Sequence, residues 1–95
     1  MPALNRSPQD NPEHTREFLD VLTLELPLYI ARSDVERLLG GIVTGKTLAN
    51  ADARGNGPEV AYAVGRKIVY SRKALLDWLA ANFSIVRVAS VKRVG

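Results

Sequence analysis

Eight residues, Gly40-Gly41-Ile42-Val43-Thr44-Gly45-Lys46-Thr47, spell G-x-x-x-x-G-K-[ST], the letters of a phosphate-cradling loop. In such a loop successive backbone amides hold a phosphate, the lysine reaches its outer oxygens and the hydroxyl completes a magnesium shell. That chemistry needs a buried strand before the loop, a helix after it, and an acidic residue on another strand. Here the residues before Gly40 carry the pattern of a capped amphipathic helix, and no apolar strand ends in Asp or Glu. A chain of 95 residues is also too short for a parallel sheet with crossovers. The same letters serve a turn and a helix start, and that is the reading adopted.

Other catalytic material is sparse. His14 is the sole histidine and falls in an N-terminal region expected to be flexible, and there is no cysteine for a nucleophile, a disulfide or a thiolate metal site. Glu17 and Asp20 stand three apart on an expected helix, as a solvated face would. No His or carboxylate spacing suggests zinc or calcium. The sequence therefore points away from an enzyme and implies no cofactor.

What remains is cationic. Gly65-Arg66-Lys67 separates two short apolar stretches, so a tight hairpin would carry adjacent positive charges at its tip. Packing gives no reason for that placement, whereas a phosphate backbone does. The net charge of +3 hides a polarity of the same kind. Residues 1–59 carry six Lys/Arg against nine Asp/Glu, and residues 60–95 carry seven against Asp77 alone. One end of a small domain is thus suited to a polyanion.

The elements that must position these groups follow from pattern. A hydrophobic content of 46% builds one modest core. Residues 1–10 read as a disordered lead-in, and residues 11–27 as a helical extension with Asn11 as cap, Pro12 at the first helical position and a stripe of Phe18, Leu19 and Leu22. Pro27 ends it. Ser33-Asp34-Val35-Glu36 reads as a capping box, Val35, Leu38 and Leu39 keep helical spacing, and Gly40-Gly41 closes that helix. Thr44 caps a second helix, Gly45 to Arg54, stopped by Gly55. Two short helices across a Gly-containing turn make a helix-turn-helix.

On that second helix Leu48 and Ala51 share one face, while Lys46, Asn50 and Ala53 project from the other with Thr47 and Arg54 on its flank. Such a small, polar, mildly cationic face can enter a major groove and read base edges. Val60 to Ala63 and Lys67 to Tyr70 are expected as two strands, with Tyr62 and Tyr70 packing across the hairpin. Ser71 caps a final helix whose Leu75, Leu76, Trp78, Leu79 and Phe83 close the core. Arg72 and Lys73 occupy its first turn, where the macrodipole disfavours cations unless a phosphate neutralises them. Residues 84–95 form a basic, valine-rich tail open to three readings: an extra strand, a dimer contact or a frayed end. The polar, proline-broken start is not a secretory signal, no apolar run approaches a bilayer span, and the expected location is cytoplasmic.

The order helix, turn, helix, Gly55-x-Gly57-Pro58, strand, Gly65-Arg66-Lys67-x-x-Tyr70, helix ending Leu75-x-x-Trp78-Leu79 resembles the small winged helix-turn-helix domains of the excisionase-like group, related to MerR-type regulators. The resemblance covers about residues 29–80, within a domain placed at 28–83. It implies an α+β fold of helices packed with a two-stranded wing and a closing helix. It also implies double-stranded DNA binding as a transcriptional regulator or excision accessory factor of a prophage or mobile element. By that resemblance Lys46, Thr47, Asn50 and Arg54 line the recognition helix beside its cap Thr44. Arg66 and Lys67 form the wing tip, with Arg72 and Lys73 as further phosphate contacts. Where the group often carries Arg-Trp, this chain has Asn50-Ala51, and Asn suits a bidentate contact to adenine. Partners left open are a recombinase or other phage protein and a second copy of the chain.

Overall fold

The computed structural model of the chain describes residues 12–85, 87 and 88. The expected lead-in, the Asn11 cap and most of the basic tail lie outside those residues. The fold is α+β, with four α-helices and a three-stranded antiparallel sheet among the described residues, in the order α1 (Pro12–Glu25), β1 (Tyr29–Ala31), α2 (Val35–Leu38), α3 (Gly45–Ala53), β2 (Ala61–Val64), β3 (Lys67–Ser71) and α4 (Arg72–Asn82). No helix among the described residues is long and apolar enough to cross a membrane.

Helix α1 begins on Pro12, whose missing amide costs nothing there, and stops ahead of Pro27. Its Phe18, Leu19 and Leu22 pack against the core, and Leu26 is buried. The chain then extends into β1, a strand the sequence pattern did not reveal. Strand β1 pairs with β3, so the sheet has the order β1-β3-β2, and the expected two-stranded wing is part of a three-stranded sheet.

The expected capping box does not form. A cap residue needs extended backbone, and here that residue is Ala31, the last of β1. Arg32–Asp34 already turn as a 3₁₀ helix running into α2, and Ser33, inside that turn, makes no cap bond. At its other end α2 closes as expected, with the Gly41 amide donating 2.7 Å back to the Glu36 carbonyl. Helix α3 starts on Thr44, whose hydroxyl accepts from the Thr47 amide at 3.1 Å. Helix α4 starts on Ser71, which accepts from the Ala74 amide.

The β2–β3 register closes on Val64 opposite Lys67, which leaves Gly65-Arg66 as a two-residue turn. Gly65 has φ +63 and Arg66 after it does not have positive φ, the pattern of a type II′ turn with glycine first. Ile30 and Tyr70 pair in register and face inward, where both are fully buried with Val35, Leu48, Leu75 and Leu79. Tyr62 lies opposite Val69, so alternation puts Tyr62 and Tyr70 on opposite faces of the sheet. The expected Tyr62–Tyr70 contact is therefore replaced: Tyr62 meets Tyr29 of β1 edge-on, centroids 6.0 Å apart, on the outer face.

Candidate functional site

Helix α3 turns Leu48 and Ala51 into the core and leaves Lys46, Thr47, Asn50 and Arg54 exposed. Two helical residues three or four apart share a face, so Lys46 and Asn50 align, with Thr47 beside them. The Thr44 hydroxyl is committed to the helix start, capping Thr47 and standing 3.0 Å from its Oγ1. Arg66 and Lys67 are exposed at the hairpin tip. Arg32, Ser33, Gly45, Arg66, Lys67 and Ile68 line one open groove of about 410 Å³, so the first turn of α3 and the hairpin tip border the same space. Among the described residues no carboxylate pairs with Lys46, Arg54, Arg66 or Lys67.

The two cations of α4 stand elsewhere. The half-buried Arg72 guanidinium donates to the Leu26 carbonyl at 2.9 Å and its amide to Leu28 at 2.8 Å, tying α4 to the chain between α1 and β1. Lys73 holds Asp77 one turn along at 2.9 Å, and that carboxylate pushes the lysine pKa up. Neither lines the groove. Both have protein partners that compensate the unfavourable helix start without a phosphate.

Sequence reasoning missed the group that orients the site. Arg32 donates through Nε to the Tyr70 hydroxyl at 2.9 Å and through its terminal nitrogen to Asp52 at 2.6 Å. The Tyr70 hydroxyl donates to the same Asp52 oxygen at 2.6 Å. Three elements meet there: the turn after β1, helix α3 and strand β3. Burial, then the bond to Asp52, pushes the Tyr70 phenol up to about 12, with Arg32 opposing. The Arg32 guanidinium is pushed up as well, first by its bond to Tyr70, with partial burial working against it.

The loop after α3 is shaped around this group. A Cβ on Gly57 would fall 1.7 Å from Asp52 Oδ1 and 2.8 Å from its Cγ, so only glycine lets the chain pass. Next to it the Asn56 carbonyl accepts from Trp78 Nε1 at 2.7 Å, which satisfies the indole and pins the loop to α4. The Gly55-x-Gly57-Pro58 motif is thus a packing feature. A signal for the network was present: Asp52 lies near the C-terminal end of α3, where the macrodipole disfavours an anion, so an inward cationic partner was to be expected.

The letters of the phosphate loop span the turn after α2 and the start of α3. Helix α2, followed by Leu39, stands where the buried strand would be required. His14 lies within helix α1. Among the described residues no group of three or more His, Asp or Glu side chains is placed to hold a metal ion. Comparison with known protein families, with curated proteins and with solved structures finds no match. The site is therefore read from its own geometry.

Proposed function

We propose that the chain is a winged helix-turn-helix protein that binds double-stranded DNA without catalysing a reaction. In this reading α2 and α3 are the helix-turn-helix, and α3 enters the major groove with Lys46, Thr47 and Asn50 toward the bases. The β2–β3 hairpin is the wing, with Arg66 and Lys67 on phosphate or in the minor groove. The observation that carries it is the groove bordered by both the α3 start and the hairpin tip, where Arg66 and Lys67 pair with no carboxylate among the described residues. Its biological setting would be a small transcriptional regulator or an excision accessory factor acting beside a recombinase.

Helix α1 favours a second reading, a protein-interaction module on the same fold, because Val21 and Leu24 are exposed on it. One experiment separates the two. Fluorescent duplex is titrated with protein from low to moderate salt. Contact with about four to six phosphates predicts a log–log slope of about −4 to −5. A flat response, or no binding at low salt, removes the DNA reading and leaves the interaction module.

A further inference from the structure

Among the described residues no strand pairs with the β2 edge of the sheet, and that edge is uncharged. Strand β2 is an edge strand, all four of its residues are exposed, and its sequence Ala61-Tyr62-Ala63-Val64 contains no charge and no proline. Natural edge strands are normally blunted by such residues, because a free ladder is a template for another chain. The direction of the free groups follows from the register. The Ser71 amide donates to the Val60 carbonyl, so Val60, Tyr62 and Val64 bond toward β3 in alternation. The amides and carbonyls of Ala61 and Ala63 point the other way, off the edge.

We propose that β2 pairs antiparallel with β2 of a second copy about a two-fold axis at Tyr62, making one six-stranded sheet. A two-fold axis normal to the sheet keeps each residue on its own face, and the β2 edge is self-complementary under it. Tyr62 then lies opposite Tyr62, Val60 opposite Val64, and Ala61 exchanges both backbone bonds with Ala63. Tyr62 is the non-hydrogen-bonded position, where facing side chains come closest and aromatic pairs contribute most. Its ring is already held against Tyr29, and Tyr29 at 55%, Tyr62 at 51% and Val64 at 60% exposure become one apolar stripe running across both copies. Beyond the paired stretch, Glu59 of one copy falls beside Gly65-Arg66 of the other, so opposite charges meet at each end. A charge-free centre with complementary ends favours a second copy over an unrelated peptide. The two Gly65-Arg66 turns then point in opposite directions.

The test needs no DNA and so does not depend on the DNA reading. Sedimentation from about 1 µM to about 1 mM should show the chain passing from monomer to dimer. Ala61→Pro removes only an amide that points off the edge, leaving the ladder to β3 intact. Tyr62→Lys sets like charges opposite each other. Both variants should remain monomeric at the highest concentration, with an unchanged circular-dichroism spectrum. The chain has no native cysteine, so single-cysteine variants report the register directly. Tyr62→Cys should form a disulfide dimer under mild oxidation, because facing Cα atoms at such a position are about 4.5 Å apart. Val64→Cys, opposite Val60, should not. Monomeric wild type at every concentration, a dimer that survives Ala61→Pro, or cross-linking of Val64→Cys ahead of Tyr62→Cys overturns the proposal.

Discussion

Tyr70→Phe removes one oxygen from the centre of the Arg32–Asp52–Tyr70 group and leaves the ring in place. Asp52 keeps its 2.6 Å contact with Arg32, so no carboxylate is abandoned. Two hydrogen bonds go with the lost oxygen, the one given to Asp52 and the one accepted from Arg32 Nε. The partly exposed guanidinium can turn to water, so the cost is about 1.5–3 kcal/mol. In a domain of this size each kcal/mol lowers Tm by about 4–8 °C, so a fall on the order of 10 °C is expected. The titration of the phenol reads the same site through pH. Unfolded tyrosine titrates near 10 and Tyr70 is pushed up to about 12, so the native state holds this proton more tightly. Because the folded value is the higher one, the stabilisation is complete below about pH 10 and disappears as pH rises through about 12. Burial is the larger cause of that shift and the bond to Asp52 the second, so the alkaline loss of stability is on the order of a few kcal/mol and includes both.

The assay is urea unfolding of wild type and Tyr70→Phe, followed by helical circular dichroism at steps from about pH 8 to about pH 12. Phenylalanine has no proton to release. The gap in unfolding free energy should therefore start at about 1.5–3 kcal/mol and close toward zero at the alkaline end. Arg32, itself pushed up, keeps its charge through most of that window and does not blur the result. A gap that stays constant across the range would refute the argument, because the hydroxyl would then contribute without its proton being held by Asp52.

Three further outcomes follow from the site. Gly57→Ala should destabilise by about 1–3 kcal/mol, since its Cβ would collide with Asp52 and force it off Tyr70; thermal melts check this, and Asp52→Ala should absorb most of the effect. Arg66→Ala with Lys67→Ala should weaken cognate and random duplexes alike and flatten the salt slope by about one to two, whereas Asn50→Ala should cost about 1–3 kcal/mol on the cognate duplex alone, as read by fluorescence anisotropy. Lys46→Ala should lower duplex affinity while calorimetry shows no magnesium-dependent ATP binding in either protein, because a helix and not a strand precedes the Gly40–Thr47 loop.

Much of the fold was legible because its signals are local. Thr44 and Ser71 cap the helices they were expected to cap, and Gly65-Arg66 turns the expected hairpin. The buried faces of α3 and α4 also follow their spacing, with Leu48, Ala51, Leu75 and Leu79 all inside. What escaped depends on partners distant in sequence. Strand β1 is only three residues long, too short for an alternation to show, and exists because β3 offers it a ladder 38 to 42 positions away in sequence. Ser33 has the letters of a cap, but β1 delivers the chain into the turn two residues early. Tyr70 reads as an ordinary strand aromatic until Arg32 and Asp52, 38 and 18 positions away, converge on its hydroxyl.

That convergence explains how the acidic part of the chain can contribute to a cationic surface. Residues 1–59 are net negative, and α3 lies within them. Of the ionisable side chains from Lys46 to Arg54, the single acid is Asp52. It is turned toward Arg32 and Tyr70 and so is neutralised on the inner side of the helix, leaving Lys46 and Arg54 exposed on the outside. The same contact joins α3 to β3, the strand whose first residue is Lys67. One half-buried carboxylate therefore removes the negative charge from the α3 surface and fixes that helix relative to the hairpin tip. Any change that frees Asp52 acts on both at once: it returns a negative charge to the surface and loosens the spacing between Lys46 and Lys67 that a duplex would have to match.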